Sequence, residues 1–182
     1  MRTIIDDLKK DHRRFERFLG WYEHEIAKLS GGGTPNYELL RLLSEYFSLF
    51  PDELHHKKED MVYDVLAGYA AECCEAIHDL REEHVMISKL AGDFAREVEA
   101  VLNEQELPVA LLIKSARDYV DAMWKHMREE EEVFFPQAIK RLKDEDWRHI
   151  HNRAADFFAE EMNVEKAKEI FRTEETLNDY AA

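Results

Sequence analysis

At 182 residues, 45% apolar and 36% charged, the chain has material for one well-formed core and not for two. A net charge of −15 at pH 7 argues against nucleic acid or an anionic membrane surface as partner, since both demand clustered Lys and Arg. Six Gly and four Pro leave little for a turn-rich β architecture, and no stretch is apolar enough for a membrane-spanning helix. The N-terminus, MRTIIDDLKKDH, does not read as a secretory leader. The two cysteines, Cys73 and Cys74, are adjacent and form no CxxC motif, so free thiols and a cytoplasmic location are expected.

Periodicity and punctuation give five helical segments. The first covers about residues 3–29, with Ile4, Ile5, Leu8, Phe15, Phe18, Leu19, Tyr22, Ile26 and Leu29 as its apolar stripe. Residues 30–35, SGGGTP, end it in the clearest loop of the chain. A second runs about 36–67 and stops near Gly68, with Pro51 predicting a kink or short break just before His55. A third runs about 71–103, and residues 103–108 turn the chain. A fourth runs about 108–141, with Pro136 near its end. A shorter fifth starts with Asp144 as N-cap, DEDWRHIHNRAADFFAEE, and the last twenty residues or so are charged and expected to be loose. Residues 1–142 thus read as one bundle, and 143–182 as a C-terminal helix and tail packed on it or trailing it.

Six residues recur in a pattern across these helices: His12, then His55 with Glu59, then His84, then His126 with Glu130. His12 and His55 are 43 positions apart, and His84 and His126 are 42 apart. Helix geometry places them at one depth. His12 lies 17 residues before the first loop and His55 lies 19 after it, roughly 26 and 28 Å at the α-helical rise. The legs from His55 to Ala67 and from Ala71 to His84 also cancel, as do those on either side of the third turn. An all-α, up-down-up-down four-helix bundle with an additional C-terminal helix would bring all four histidines to one level. Positions i and i+4 share a face, so Glu59 and Glu130 point inward with His55 and His126.

Imidazole and carboxylate without thiolate suit iron, manganese or zinc. A single tetrahedral zinc would use four of the six ligands at most, whereas two metals sharing Glu59 and Glu130 as bridges use all six. The expected cofactor is a pair of iron ions bridged further by oxo or hydroxo, with manganese or zinc as possible substitutes. Octahedral metals held this way retain open positions for O2, NO, peroxide or water.

The constellation resembles the hemerythrin-like family, the hemerythrin HHE cation-binding domain, over about residues 3–141. The words that carry the resemblance are KKDHRRFERFL, HHKKEDMVY, REEHVMISKL and HMREEEEVFFP. It implies a non-haem di-iron centre held by His12, His55, Glu59, His84, His126 and Glu130. Oxygen-carrying members have a fifth histidine four positions from the third-helix ligand and HxxxxD on the fourth helix. Here Leu80 and Ser88 stand at the former positions, and the fourth-helix pair is HxxxE. The four-histidine pattern is similar to bacterial members linked to iron-centre repair, nitric oxide or peroxide handling, and oxygen or iron sensing.

The functional expectation is therefore a di-iron protein that meets O2, NO or peroxide in an oxygen, redox or iron response. A peroxide- or nitric oxide-reducing or iron-repair enzyme is the alternative, and iron storage or carriage a third; no protein partner is specified. Other residues are weighed against blander roles. His56, with Asp60 four positions on, could replace His55–Glu59, but about 100° round the helix it is expected outside the site or exposed. His24, His78, His149 and His151 are read as surface or satisfied core groups. Of the run Glu129 to Glu132 only Glu130 has the inward face, and the rest are read as solvated. Tyr46, Tyr63 and Tyr119 are read as core before metal ligands. A ferritin-like pair of ExxH words, Glu53…His56 and Glu75…His78, cannot share a depth across the turn at Gly68.

Overall fold

The computed structural model describes residues 4–69 and 80–180, and every regular element among them is helical. α1 (Ile4–Ser30) buries Ile5, Leu8, Phe15, Phe18, Leu19, Tyr22, Ile26 and Leu29 along one stripe, as their spacing dictates. It ends where Gly32 takes a φ of 77°, a conformation open to glycine and costly to residues with a Cβ. That turn lets the Gly33 N–H reach back to the Lys28 carbonyl at 2.9 Å. Asn36 then caps the next helix, its side-chain oxygen accepting from the Leu39 N–H at 3.0 Å.

The second bundle helix is composite, made of α2 (Tyr37–Phe50), a π turn (Pro51–His55) and α3 (His56–Ala67). The break expected at Pro51 is thus a single widened turn. Proline has no N–H to give to the preceding turn, and the His56 N–H bonds to the Pro51 carbonyl five residues back. α4 (Leu80–Leu102) is the third helix and α5 (Val109–Glu129) opens the fourth. The fourth continues through a π turn (Glu130–Phe134) into α6 (Phe135–Arg141), with Pro136 just past the widened turn. α1 packs on α2 and α5, and α4 on the same two, which closes a square bundle around the core. The start of the third helix, with Cys73, Cys74, Glu75 and His78, lies outside the described residues.

The C-terminal region corrects the expectation of a loose tail. After α7 (Asp144–Asp156) and a π turn (Phe157–Glu161), α8 (Val164–Asp179) packs on α2 and buries Ala167, Ile170, Thr173 and Leu177. Several charges of this segment pair with the bundle: Glu174 accepts from Arg14 at 2.6 Å, and Lys166 donates to Glu53. Asp144 is the first helical residue of α7 and not its cap. Lys143 holds the cap position, and its N–H donates to Asp146 at 2.8 Å. No described helix is long and apolar enough to cross a membrane.

Two apolar clusters fill the interior. The larger, around Phe15, Phe18, Tyr22, Tyr46, Phe47 and Tyr119, includes Leu54, Ile87 and Met123. The other is built from Ile5, Leu8, Met61, Val62, Leu80, Phe134 and Phe135. On each bundle helix the predicted ligands fall between one cluster and the other. Leu8 and Phe15 flank His12, Leu54 and Met61 flank His55 and Glu59, Leu80 and Ile87 flank His84, and Met123 and Phe134 flank His126 and Glu130. The polar layer is therefore a slice between two apolar plugs.

Candidate metal centre

All six predicted ligands meet in that slice, and a seventh group joins them. His12 extends from α1, His55 ends the first π turn, and His56 and Glu59 belong to α3. His84 is on α4, His126 on α5, and Glu130 opens the second π turn. His12, His55, His56 and His126 are all under 5% exposed, and Glu59 and Glu130 are at 0%. These groups form two sets whose nitrogen and oxygen atoms are close enough to hold an ion, His12, His55, Glu59 and Glu130 in one, and His56, Glu59, His84 and His126 in the other.

Both carboxylates span the two sets. Glu59 Oε1 lies 3.0 Å from His55 Nε2 and 3.8 Å from His12 Nε2, while its Oε2 lies 3.4 Å from His84 Nε2. Glu130 Oε2 lies 3.1 Å from His12 Nε2, and its Oε1 lies 3.1 Å from His126 Nε2 and 3.9 Å from His84 Nε2. His12 and His55 face each other with Nε2 atoms 3.2 Å apart. His56 stacks flat on His84, ring centroids 3.8 Å apart and planes at 6°.

His56 overturns the expectation that it is exposed or peripheral. Consecutive helical residues are about 100° apart, which on a helix with a single inward face sends one of the pair outward. α3 stands at a corner of the bundle and packs on both α1 and α4. Two neighbouring helices therefore receive two adjacent side chains, His55 toward His12 and His56 toward His84.

An outer ring of carboxylates holds the Nδ1 atoms, and sequence reasoning missed most of it. His12 Nδ1 donates to Glu131 at 2.9 Å, His56 Nδ1 to Asp52 at 3.0 Å, and His126 Nδ1 to Glu83 at 3.1 Å. His55 Nδ1 lies 3.4 Å from Asp11, and His84 Nδ1 lies 3.6 Å from Asp60. Glu131, read as solvated, thus has a partner, and Asp60, read as an alternative partner of His56, faces His84 instead. The only sequence signal was proximity: Asp11, Asp52, Asp60, Glu83 and Glu131 all lie within four residues of a ligand, but acidic residues are common throughout this chain.

The protonation pattern follows from this geometry. Burial disfavours charge on His12, but the neighbouring carboxylates of Glu130 and Glu59 push its pKa up to about 10. Burial is likewise outweighed at His84, raised to about 11 by Asp60, Glu130 and Glu59, and at His126, raised to about 9 by Glu130 and Glu83. Burial dominates at His56, which falls to about 4 despite Asp52. Glu59 is held well below its ordinary value because the charge of His55 and the close imidazoles of His12, His55 and His84 outweigh burial. Glu130 is lowered too: burial and the charge of Glu59 oppose ionisation, and His126 and His12 overcome them. Without a cation, protons on imidazoles balance the two buried carboxylates.

The donor set fits metal ions. Both oxygens of Glu59, both of Glu130, and Nε2 of His56, His84 and His126 are buried without a hydrogen-bond partner. Seven buried polar atoms facing inward without a partner are costly unless something binds them. Nitrogen and oxygen donors in this number match a first-row cation, and thiolate chemistry is not offered here. A cleft of about 420 Å³, lined among others by Asp52, His56, Asp60, His84 and Ser88, leads from the surface to one edge of the layer.

The remaining candidates separate cleanly. His24, His149 and His151 are exposed. Tyr46 and Tyr119 belong to the larger aromatic cluster, and Tyr63 packs by Phe134 at 6.4 Å. Glu53 pairs with Lys166, which removes it from any ExxH site, and Glu75 and His78 lie outside the described residues.

A family model described as the hemerythrin HHE cation binding domain matches residues 3–138. Neither a curated protein nor a solved structure matches the chain.

Proposed function

Because the chain belongs to the hemerythrin HHE cation-binding domain family, we propose that its buried layer holds two iron ions and responds to O2, NO or peroxide. His12 and His55 would hold one ion, His84 and His126 the other, and Glu59 and Glu130 would lie between them. The observation that carries this reading is the pair of fully buried carboxylates, each turning one unpartnered oxygen toward each set of imidazoles. A single ion would leave half of those oxygens without a partner.

Iron, when bound, would supply a reversible change of oxidation state and a coordination position for a small ligand. The rest is the work of this chain. Phe15 lies edge-on against His55 at 4.9 Å, and Phe135 stacks on His12 at 5.4 Å, so aromatic rings shield the His12 and His55 side of the layer from water. The outer carboxylates fix each imidazole through Nδ1 and leave Nε2 facing inward. Two buried carboxylates offset part of the positive charge that the ions would bring.

Metal analysis tests the reading. Anaerobically loaded protein should carry about two irons per chain, and His126→Ala and Glu130→Ala should lose metal while His24→Ala keeps it. A single zinc that survives chelation would overturn the di-iron assignment. Exposing the di-ferrous protein separately to O2, NO and H2O2, with the optical spectrum followed in time, tests the response. A reversible adduct supports binding or sensing, and turnover of peroxide or NO would make the protein an enzyme.

A further inference from the structure

We infer that His56 is a fifth imidazole ligand, so that the two metal positions are unequal, with three imidazoles at one and two at the other. The inference rests on the di-metal reading above and sharpens it.

Three independent features of His56 match those of the ligands proposed there. First, its Nε2 is buried and has no hydrogen-bond partner, as is true of His84 and His126. A satisfied core histidine has no such orphan, because an unpartnered ring nitrogen in an apolar interior is costly. Second, its Nδ1 is fixed by its own carboxylate. The five imidazoles of the layer pair one-to-one with five carboxylates: His12 with Glu131, His55 with Asp11, His56 with Asp52, His84 with Asp60, and His126 with Glu83. An acceptor on the far nitrogen is the arrangement that orients a metal-bound imidazole and selects its tautomer. Asp52 is itself held, since Ser88 Oγ donates to the same oxygen at 2.6 Å. Third, the ligand atom of His56 falls in one group with those of Glu59, His84 and His126.

His12 and His55 form a separate set with no third imidazole. His56 stacks on His84 and is edge-on to His126 at 5.7 Å; its ring also lies 5.8 Å from that of His55, but its ligand atom is grouped with those of His84 and His126. The inequality therefore follows from the corner position of α3. Asp52 and Ser88 are positioning residues, acting on the metal only through the ring they orient.

The test compares wild type with His56→Gly, Asp52→Asn and the exposed-site control His24→Ala, all loaded anaerobically with 57Fe(II). Metal per chain is measured after gel filtration, and Mössbauer spectra report each iron's surroundings. Wild type should hold two irons giving two distinct doublets of equal area. His56→Gly should bind one of them at least about tenfold more weakly, and one doublet should shift or vanish. Free imidazole should restore it, which a merely misfolded variant would not allow. Asp52→Asn should weaken the same iron by about 10-fold to 100-fold, the range for lost outer partners of a metal-bound histidine. Two irons with both doublets unchanged in His56→Gly would overturn the role of His56 and leave the di-iron reading standing. Fewer than two irons in wild type would overturn the di-iron reading itself.

Discussion

The larger aromatic cluster and the polar layer beside it are built on the same helices and are buried to the same degree, yet they are stabilised in opposite ways. In the cluster, Phe18 meets Tyr46 edge-on at 5.0 Å and Trp21 at 5.2 Å, and the Tyr22 hydroxyl is hydrogen-bonded to Ser44 at 2.8 Å. Such ring contacts need no further partner, and of the cluster's hydroxyls those of Tyr46 and Tyr119 are buried without one. In the layer, seven donor atoms face one another unpaired, and imidazolium–carboxylate attraction offsets only part of the cost of burying them. The cluster is an end in itself. The layer is stable only as a slice between two apolar plugs, and its arrangement makes sense as a receptor for cations.

Breaking the cluster should have the largest effect on stability. Phe18→Ala leaves a cavity among Trp21, Tyr46 and Phe47, and should cost about 3–5 kcal/mol by denaturant unfolding. Because Phe18 does not touch the layer's imidazoles, the folded variant should still take up the same metal per chain.

The layer should show the reverse behaviour. Added Fe(II) should raise the unfolding free energy of wild type by about 2.7 kcal/mol for each ion held, at a hundredfold excess over its Kd. Phe18→Ala should retain that increment. A Glu59→Gln and Glu130→Gln double variant should lose it, and an undiminished increment there would remove the two carboxylates from the metal site.

The layer should also respond to pH. His12, His84 and His126 have raised pKa values of about 10, 11 and 9 in the metal-free fold. Their charged forms stabilise the fold fully below the ordinary imidazole value of about 6.5, and that contribution is lost as pH rises through 9 to 11. The melting temperature of metal-free protein should therefore decline between neutral pH and about pH 10. Metal displaces those protons, so its affinity should rise over the same interval, and the loaded protein should decline less. A metal-free melting curve independent of alkaline pH would contradict the charged layer.

Much of the architecture was legible because periodic patterns are local. The stripe from Ile5 to Leu29, the SGGGTP loop and the two prolines marked the helices and their irregular turns. Equal leg lengths also predicted that His12, His55, His84 and His126 would meet. What was misjudged depended on neighbours. The C-terminal segment looked loose because its charges dominate its composition, but Ala167, Ile170, Thr173 and Leu177 form one buried stripe of α8, which packs on α2. Glu131 looked solvated because nothing in the run EEEE shows that one of its members reaches His12.

His56 marks the boundary between the two kinds of information. The sequence by itself determined that the chain forms a helical bundle of this family, with H…HxxxE repeated at one depth, because helix rise and the i, i+4 face follow from backbone geometry alone. It could not determine how many sides of α3 face inward, since that depends on which helices stand beside it. Only the packing of α3 between α1 and α4 decided that two adjacent histidines both turn into the layer. The same packing matched five imidazoles with five carboxylates drawn from residues as far apart as His12 and Glu131.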